Sequence, residues 1–312
     1  MSADASTTAP ASYTLAQAYA FCEQMARRHY ENFPVASRLL PARLRRPIAV
    51  IYAFARSADD FADEGELPPA QRLTLLSGYD HQLDAIARGE ASSNPIFIAL
   101  ADVMARHGLP HQLFHDLVDA FRQDVTQRQY DDFAALLDYC RRSANPVGRL
   151  LLHLNDAASP ENLALSDRIC TALQLINFYQ DLVQDYDENG RIYIPRDEMQ
   201  QYGVGPEHFR DRRNDMALQE LLRLQYRRAH TLMLAGAPLG RRLRGRFGWE
   251  IRLIIAGGLR VLERLEQQVA TAPFARPRLR RRDWPVILWR SLFDPQTKFR
   301  KPQPSHDTRS VL

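Results

Sequence analysis

Lysine is nearly missing from this 312-residue chain: it occurs only at Lys298 and Lys301, so the basic side chains are almost wholly arginine. Arginine suits bidentate contacts to phosphate or carboxylate, and a genome-wide compositional bias accounts for the pattern equally well. Cysteine is scarce too. Cys22, Cys140 and Cys170 form an odd set without C-x-x-C spacing, which frames neither a disulfide scaffold nor a zinc site and points to a reducing compartment. Long apolar runs are also lacking. The best candidate, residues 251–265, carries Arg252, Arg260, Glu263 and Arg264, so no segment reads as membrane-spanning. Residues 1–12 hold one charged side chain, Asp4, and lack the basic and apolar stretches of a secretory signal. A cytoplasmic protein is expected. One-sided charge is the last absence: 41 Lys plus Arg against 37 Asp plus Glu leaves only +4, which excludes a purely electrostatic nucleic-acid binder.

What is present is a globular composition, 45% hydrophobic and 25% charged, sufficient to bury a sizeable core. Alternating Val, Ile and Thr runs hardly occur, whereas apolar residues recur three and four apart almost everywhere. The spacing predicts an all-α protein, a single large helical bundle. Helices are expected over about 15–28, 42–63, 69–88, 95–107, 110–127, 131–154, 160–185, 215–234 and 239–269, with a Gly-, Pro- and Asn-rich connection at 187–207. The expected organisation is a disordered 1–12, a helical domain at 13–270, and a basic, aromatic-containing tail at 271–312. A helical solenoid would show a repeat of its own, and none is found.

Two acidic clusters stand apart. Asp59 and Asp63 are four residues apart in YAFARSADDFADE, which puts both on one helix face a turn apart. In NFYQDLVQD, Asn177, Asp181 and Asp185 recur at i, i+4 and i+8. Both clusters fall near expected helix C-termini, where the macrodipole disfavours negative charge. Carboxylates gathered there call for a compensating cation, and hard oxygen donors of this kind suit Mg²⁺ beside a phosphate. The alternative is a solvated acidic face. Phe178, Tyr179, Leu182 and Val183 between the second cluster's oxygens weigh against it.

These residues carry a resemblance. The chain resembles the squalene and phytoene synthase branch of the isoprenoid synthases: D-x-x-x-D at Asp59 and Asp63, N-x-x-x-D-x-x-x-D at Asn177, Asp181 and Asp185, G-R-x-Y-x-P at Gly190 to Pro195, and Y-C followed by V-G at Tyr139-Cys140 and Val147-Gly148. The likeness covers about residues 13–266. It implies two aspartate-rich helices facing each other across a cavity and holding Mg²⁺ against a diphosphate. Two departures matter: His29-Tyr30-Glu31-Asn32-Phe33 lacks the serines often found there, and Arg141 to Pro146 replaces an aromatic residue followed by Val-Ala-Gly. The combination of HYENFPV, YAFARSADDFADE and NFYQDLVQDY is most similar to the bacterial hydroxysqualene synthases of hopanoid biosynthesis.

The resemblance implies Asp59, Asp63, Asn177, Asp181 and Asp185 as metal ligands, with Asp59, Asp63, Asp181, Tyr52 and Arg56 in catalysis. His29, Arg56, Asp124, Arg191, Tyr193, Phe178 and Tyr179 are implied in substrate binding, and Phe54 joins Tyr52, Phe178 and Tyr179 as aromatic candidates to stabilise a cation. The substrate so implied is presqualene diphosphate, or farnesyl diphosphate; Mg²⁺ is the cofactor and NADPH is not expected. Presqualene diphosphate, squalene or phytoene synthase activity on the same scaffold is the alternative, as is a non-catalytic assembly factor. Between 271 and 301 lie nine basic and two acidic residues, interleaved with Trp284, Ile287, Leu288, Trp289, Leu292 and Phe293. Such a segment suits peripheral contact with the inner membrane face, or folds back on the bundle.

Overall fold

A computed structural model describes residues 13–28, 41–63 and 67–293. His29, the first 12 residues and the tail beyond Phe293 lie outside the described residues. Among those described there is no strand, and a single isolated bridge joins Gln129 to Ile192. The helices are α1 (Leu15–Arg28), α2 (Ala42–Asp63), α3 (Pro69–Ala87), α4 (Pro95–His107), α5 (His111–Thr126), α6 (Phe133–Ser143), α7 (Asn145–Leu154) and α8 (Pro160–Gln180). They continue with α9 (Leu182–Asn189), α10 (Arg196–Gln201), α11 (Pro206–Arg210), α12 (Met216–Gly236), α13 (Leu239–Arg242), α14 (Gly245–Gln268) and α15 (Trp284–Phe293).

Several starts are dictated locally. The Asn94, Asp132, Ser159 and Asp215 side chains each accept from a backbone N–H of the following turn and so cap α4, α6, α8 and α12, satisfying donors that a helix start leaves orphaned. Three expected helices are interrupted. The 131–154 segment breaks at Ala144, because Pro146 has no N–H to continue the ladder. The 160–185 segment has an irregular residue at Asp181, with φ −106° and ψ 16°, yet Asp181 N–H still donates to Asn177 O and Asp185 N–H to Asp181 O. The 239–269 segment breaks where Leu243 and Arg244 turn extended ahead of Gly245 at φ 66°. The 187–207 connection holds the short helices α10 and α11.

In the first half, α2 packs against α1, α3, α4 and α5; in the second, α8 packs against α12, α7, α6 and α14. Phe54 lies edge-on to Phe97 and Phe114 at ring distances of 5.9 and 5.3 Å, deep in the α2 to α5 core. It therefore faces away from the cavity described below. Residues 271–293 are part of the packing. Buried Asp283 accepts from Arg260 Nε at 2.9 Å and Arg264 Nη2 at 2.6 Å, and these partners, Arg264 foremost, hold its carboxyl far below the usual carboxylate range. That contribution is present above the ordinary carboxylate value and is lost only as pH falls through the depressed one. No described helix is long and apolar enough to cross a membrane.

Helices α7 and α8 approach closely at Gly148. A Cβ there would stand 2.3 Å from Ser166 Oγ and 2.5 Å from Cys170 Sγ, so the glycine sets the distance between the helices. Gly148→Ala is expected to push α7 away and lower stability by about 1–3 kcal/mol, read as a fall in the denaturant midpoint.

Candidate active site

A cavity of about 490 Å³ opens between α2, α5, α6–α7 and α8–α9, within the range of about 300–1,000 Å³ usual for small-molecule sites. Helical periodicity builds its walls. From α2 come Ile48, Ile51, Tyr52, Ala55, Arg56 and Asp59, and from α8 come Gln174, Asn177 and Phe178, followed by Asp181 at its junction with α9, in each case residues three and four apart on one stripe. The stripe continues through Gln184, Asp185 and Glu188 of α9, while α5 gives Leu117, Phe121 and Asp124, and α6–α7 give Tyr139, Ser143, Val147 and Leu151. Along α2 the lining passes from isoleucine to aspartate over eleven residues, ~16 Å of helix. The lining of α5 likewise passes from leucine to aspartate, so the cavity has an apolar and a polar end.

At the polar end, Arg56 lies 2.7 Å from Asp60 and 3.5 Å from Asp59, an intrahelical pair that also faces the cavity. Asp181 is gripped by Arg276 from the segment before α15, at 2.5 Å from Nε and 3.0 Å from Nη2. Burial pushes the Asp181 carboxyl up and Arg276 opposes that shift. Asp63 closes α2, and its side chain lies outside the described residues. Gly190, at φ 62°, caps α9 in a left-handed conformation that a side chain would strain. It turns the chain so that Arg191 Nη2 donates to Asp124 O at 2.6 Å and Tyr193 stacks on Phe178, rings 3.6 Å apart and 5° from parallel.

Tyr139 donates to Asp124 Oδ2 at 2.9 Å. Its own proton is held firmly, since burial first and the Asp124 charge next push the phenol well above its usual value. Burial likewise raises the Tyr52 phenol, opposed by Arg56. Arg141 and Arg142, which depart from the family pattern, instead pair with Asp138, and Arg142 also with Asp119.

The cavity thus gathers Tyr52, Arg56, Asp59, Asp124, Asn177, Phe178, Asp181, Asp185, Arg191 and Tyr193. It does not include Tyr179. One residue beyond Phe178, and so about 100° further round the helix, Tyr179 is buried with its hydroxyl on Gln225 Oε1 at 3.3 Å. Gln225 Nε2 in turn donates to Glu198 at 2.6 Å. Residues not anticipated from sequence are Gln184 and Glu188, which the i+3/i+4 continuation would have found, and Arg276, for which no local signal exists.

The donors at the polar end are all oxygens, the set that hard divalent cations prefer. Among the described residues no three His, Cys, Asp or Glu side chains are gathered closely enough to hold an ion alone. An all-oxygen site of this openness fits Mg²⁺ that keeps waters and takes further ligands from a phosphate, not a closed protein cage. Arginine at Asp181 marks the same demand for positive charge.

The squalene/phytoene synthase family profile matches residues 26–284. Hydroxysqualene synthase of Zymomonas mobilis is 43% identical over 56% of this chain, the match spanning just 58% of that protein. The hydroxysqualene synthase of Rhodopseudomonas palustris is 35% identical over 76% of this chain and 80% of that one. Phytoene synthase of Mycobacterium tuberculosis is 37% identical over 60% of this chain and 61% of its own. The crystal structure of squalene synthase HpnC from Alicyclobacillus acidocaldarius superposes with a TM-score of 0.76 at 36% identity, covering 82% of this chain and 95% of that one.

Tyr139→Phe keeps the ring and removes the donor to a buried carboxylate. The expected loss is about 1–3 kcal/mol of stability, and a double-mutant cycle with Asp124→Asn should return a coupling energy clearly above zero.

Proposed function

Because the chain belongs to the squalene/phytoene synthase family, and is thereby an enzyme of isoprenoid diphosphates, we propose that it converts presqualene diphosphate to hydroxysqualene and diphosphate. The observation that carries this reading is one cavity lined both by carboxylates and arginines and by aliphatic and aromatic side chains. Similarity to two hydroxysqualene synthases supports the same product. In this reading residues 13–270 are the catalytic bundle, residues 271–293 pack onto it, and the enzyme works in the cytoplasm toward hopanoids.

Asp59, Asp63, Asn177, Asp181 and Asp185 are the proposed ligands of Mg²⁺, which when bound takes up charge on the departing diphosphate. Arg56 and Arg191 add charge-assisted hydrogen bonds to the same oxygens. Cleavage of the substrate's C–O bond leaves a cyclopropylcarbinyl cation in the apolar chamber. There the faces of Tyr52, Phe178 and Tyr193 favour positive charge, while Ile48, Ile51 and Leu151 keep water sparse so that rearrangement precedes capture. One water then forms the new C–O bond and gives its proton to the diphosphate. No hydride donor enters that balance.

A second reading has its own support. Phytoene synthase is among the relatives, which favours the coupling of two prenyl diphosphates. Incubation with presqualene diphosphate and Mg²⁺, with and without NADPH, separates the two. Hydroxysqualene in the absence of NADPH is expected, as is loss of turnover in Asp59→Ala and Asp181→Ala with helicity intact. Squalene formed only with NADPH, or turnover of farnesyl diphosphate alone, sinks the proposal. Absence of both turnover and thermal stabilisation by a diphosphate analogue would favour a non-catalytic assembly factor.

Arg276 stands on a proposed ligand, so a metal and this arginine compete for Asp181. Arg276→Gln is expected to tighten binding of Mn²⁺, a paramagnetic stand-in for Mg²⁺, by about two- to fivefold, the scale of one partly exposed ion pair. Unchanged affinity removes the competition from the account.

A further inference from the structure

Helix α15 has two unlike faces. Toward α14 it buries Ile287, accepts from Trp249 Nε1 on Ser291 Oγ at 3.1 Å and pairs Arg290 with Glu263 at 2.7 Å. Outward it presents Trp284, Leu288, Trp289, Leu292 and Phe293, which are 40–62% exposed. With Leu279 these make six of the eleven exposed large hydrophobics in the described structure, all within 15 residues of chain. A soluble surface rarely concentrates apolar side chains in this way.

The exposed charge within residues 271–293 is of one sign. Arg278, Arg280, Arg281 and Arg282 are exposed beside it. The one acid between 271 and 293 is Asp283, which is buried and held by Arg260 and Arg264. We infer that α15 and the arginine run before it form a docking surface for the headgroup region of an anionic lipid bilayer. Tryptophan, leucine and phenylalanine enter the interface while the guanidinium groups meet lipid phosphates. A second copy of the chain fits poorly, since a two-fold contact would set the arginine run against itself. Eight steps of chain lead from Arg276, on Asp181, to Trp284, a reach of at most ~28 Å. The inference does not depend on which reaction the cavity performs.

The full-length protein is to be sedimented with vesicles of phosphatidylcholine alone and of phosphatidylcholine mixed with phosphatidylglycerol, while tryptophan emission is followed. Two of the three tryptophans sit on the proposed face, so a blue shift should accompany binding. Binding to the mixed vesicles, weakened by salt, is expected. Trp284→Glu/Leu288→Glu/Leu292→Glu should abolish it with the melting temperature unchanged. Arg280→Gln/Arg281→Gln/Arg282→Gln should weaken it roughly a hundredfold, about fivefold for each arginine. Equal binding to both vesicles overturns the anionic assignment. Absence of binding, or binding that survives the triple glutamate variant, overturns the surface itself, as does a concentration-dependent dimer that those glutamates dissociate.

Discussion

Negative charge gathered at one end of an apolar cavity is the constraint on which much of this structure turns. Asp59, Asp181, Asp185 and Glu188 all line that cavity, and burial already pushes the Asp181 carboxyl toward its neutral form. Carboxylates in such a place are tolerated only with cations beside them. The chain supplies them from three directions: Arg56 from within α2, Arg191 from the turn after α9, and Arg276 from the segment ahead of α15. Each is anchored by a different interaction. The pair on Arg56 is local to its helix, Arg191 is fixed on the Asp124 carbonyl, and Arg276 arrives by long-range packing. A site assembled from such independent supports keeps positive charge beside its carboxylates within the fold itself.

The graded polarity of the cavity follows from where helices start and stop. On α2 the acids come at the C-terminal end and the isoleucines earlier, and the α5 lining runs the same way from Leu117 to Asp124. Acids at helix C-termini oppose the macrodipole, so their position costs stability that packing must offset. The aromatic pile of Tyr130, Tyr139, Phe178 and Tyr193 lies beside this transition. It braces the Gly190 to Pro195 turn against α6 and α8. Buried phenols that resist ionisation, as Tyr139 does, contribute hydrogen-bond donors without adding charge.

Much of this was legible in the residues because it is periodic. The stripes on α2 and α8 obey the three-and-four spacing of one helix face, and the two acidic clusters do line one cavity, apart from the Asp63 side chain, which lies outside the described residues. The starts of α4, α6, α8 and α12 follow from their capping side chains. The interruptions at Ala144 and Leu243 were harder to read, since single residues outside helical geometry leave the hydrophobic period nearly unchanged. Tyr179 shows the limit of proximity in sequence: its neighbour Phe178 faces the cavity, and one step around the helix sends Tyr179 into the core. Phe54 fails likewise, because α2 is buried on two sides and periodicity does not tell which apolar face meets the cavity. Arg276 could not have been found, since nothing local marks one arginine among many as the partner of an acid 95 residues away.

The near-neutral net charge conceals how the arginines after residue 270 are divided. Arg276, itself half-exposed, and Arg290 are engaged by Asp181 and Glu263, while Arg278, Arg280, Arg281 and Arg282 are exposed beside α15. Asp283, between the two groups, is claimed by Arg260 and Arg264 of α14 and cannot neutralise its neighbours. Fixing this acid inside the bundle does two things at once. It pins the start of α15, so that the apolar ridge is held rigidly outward, and it removes the negative charge that would otherwise screen the arginine run. The same short segment therefore ties one arginine to the reaction cavity and displays the others beside an exposed apolar helix, through a geometry set by one buried carboxylate.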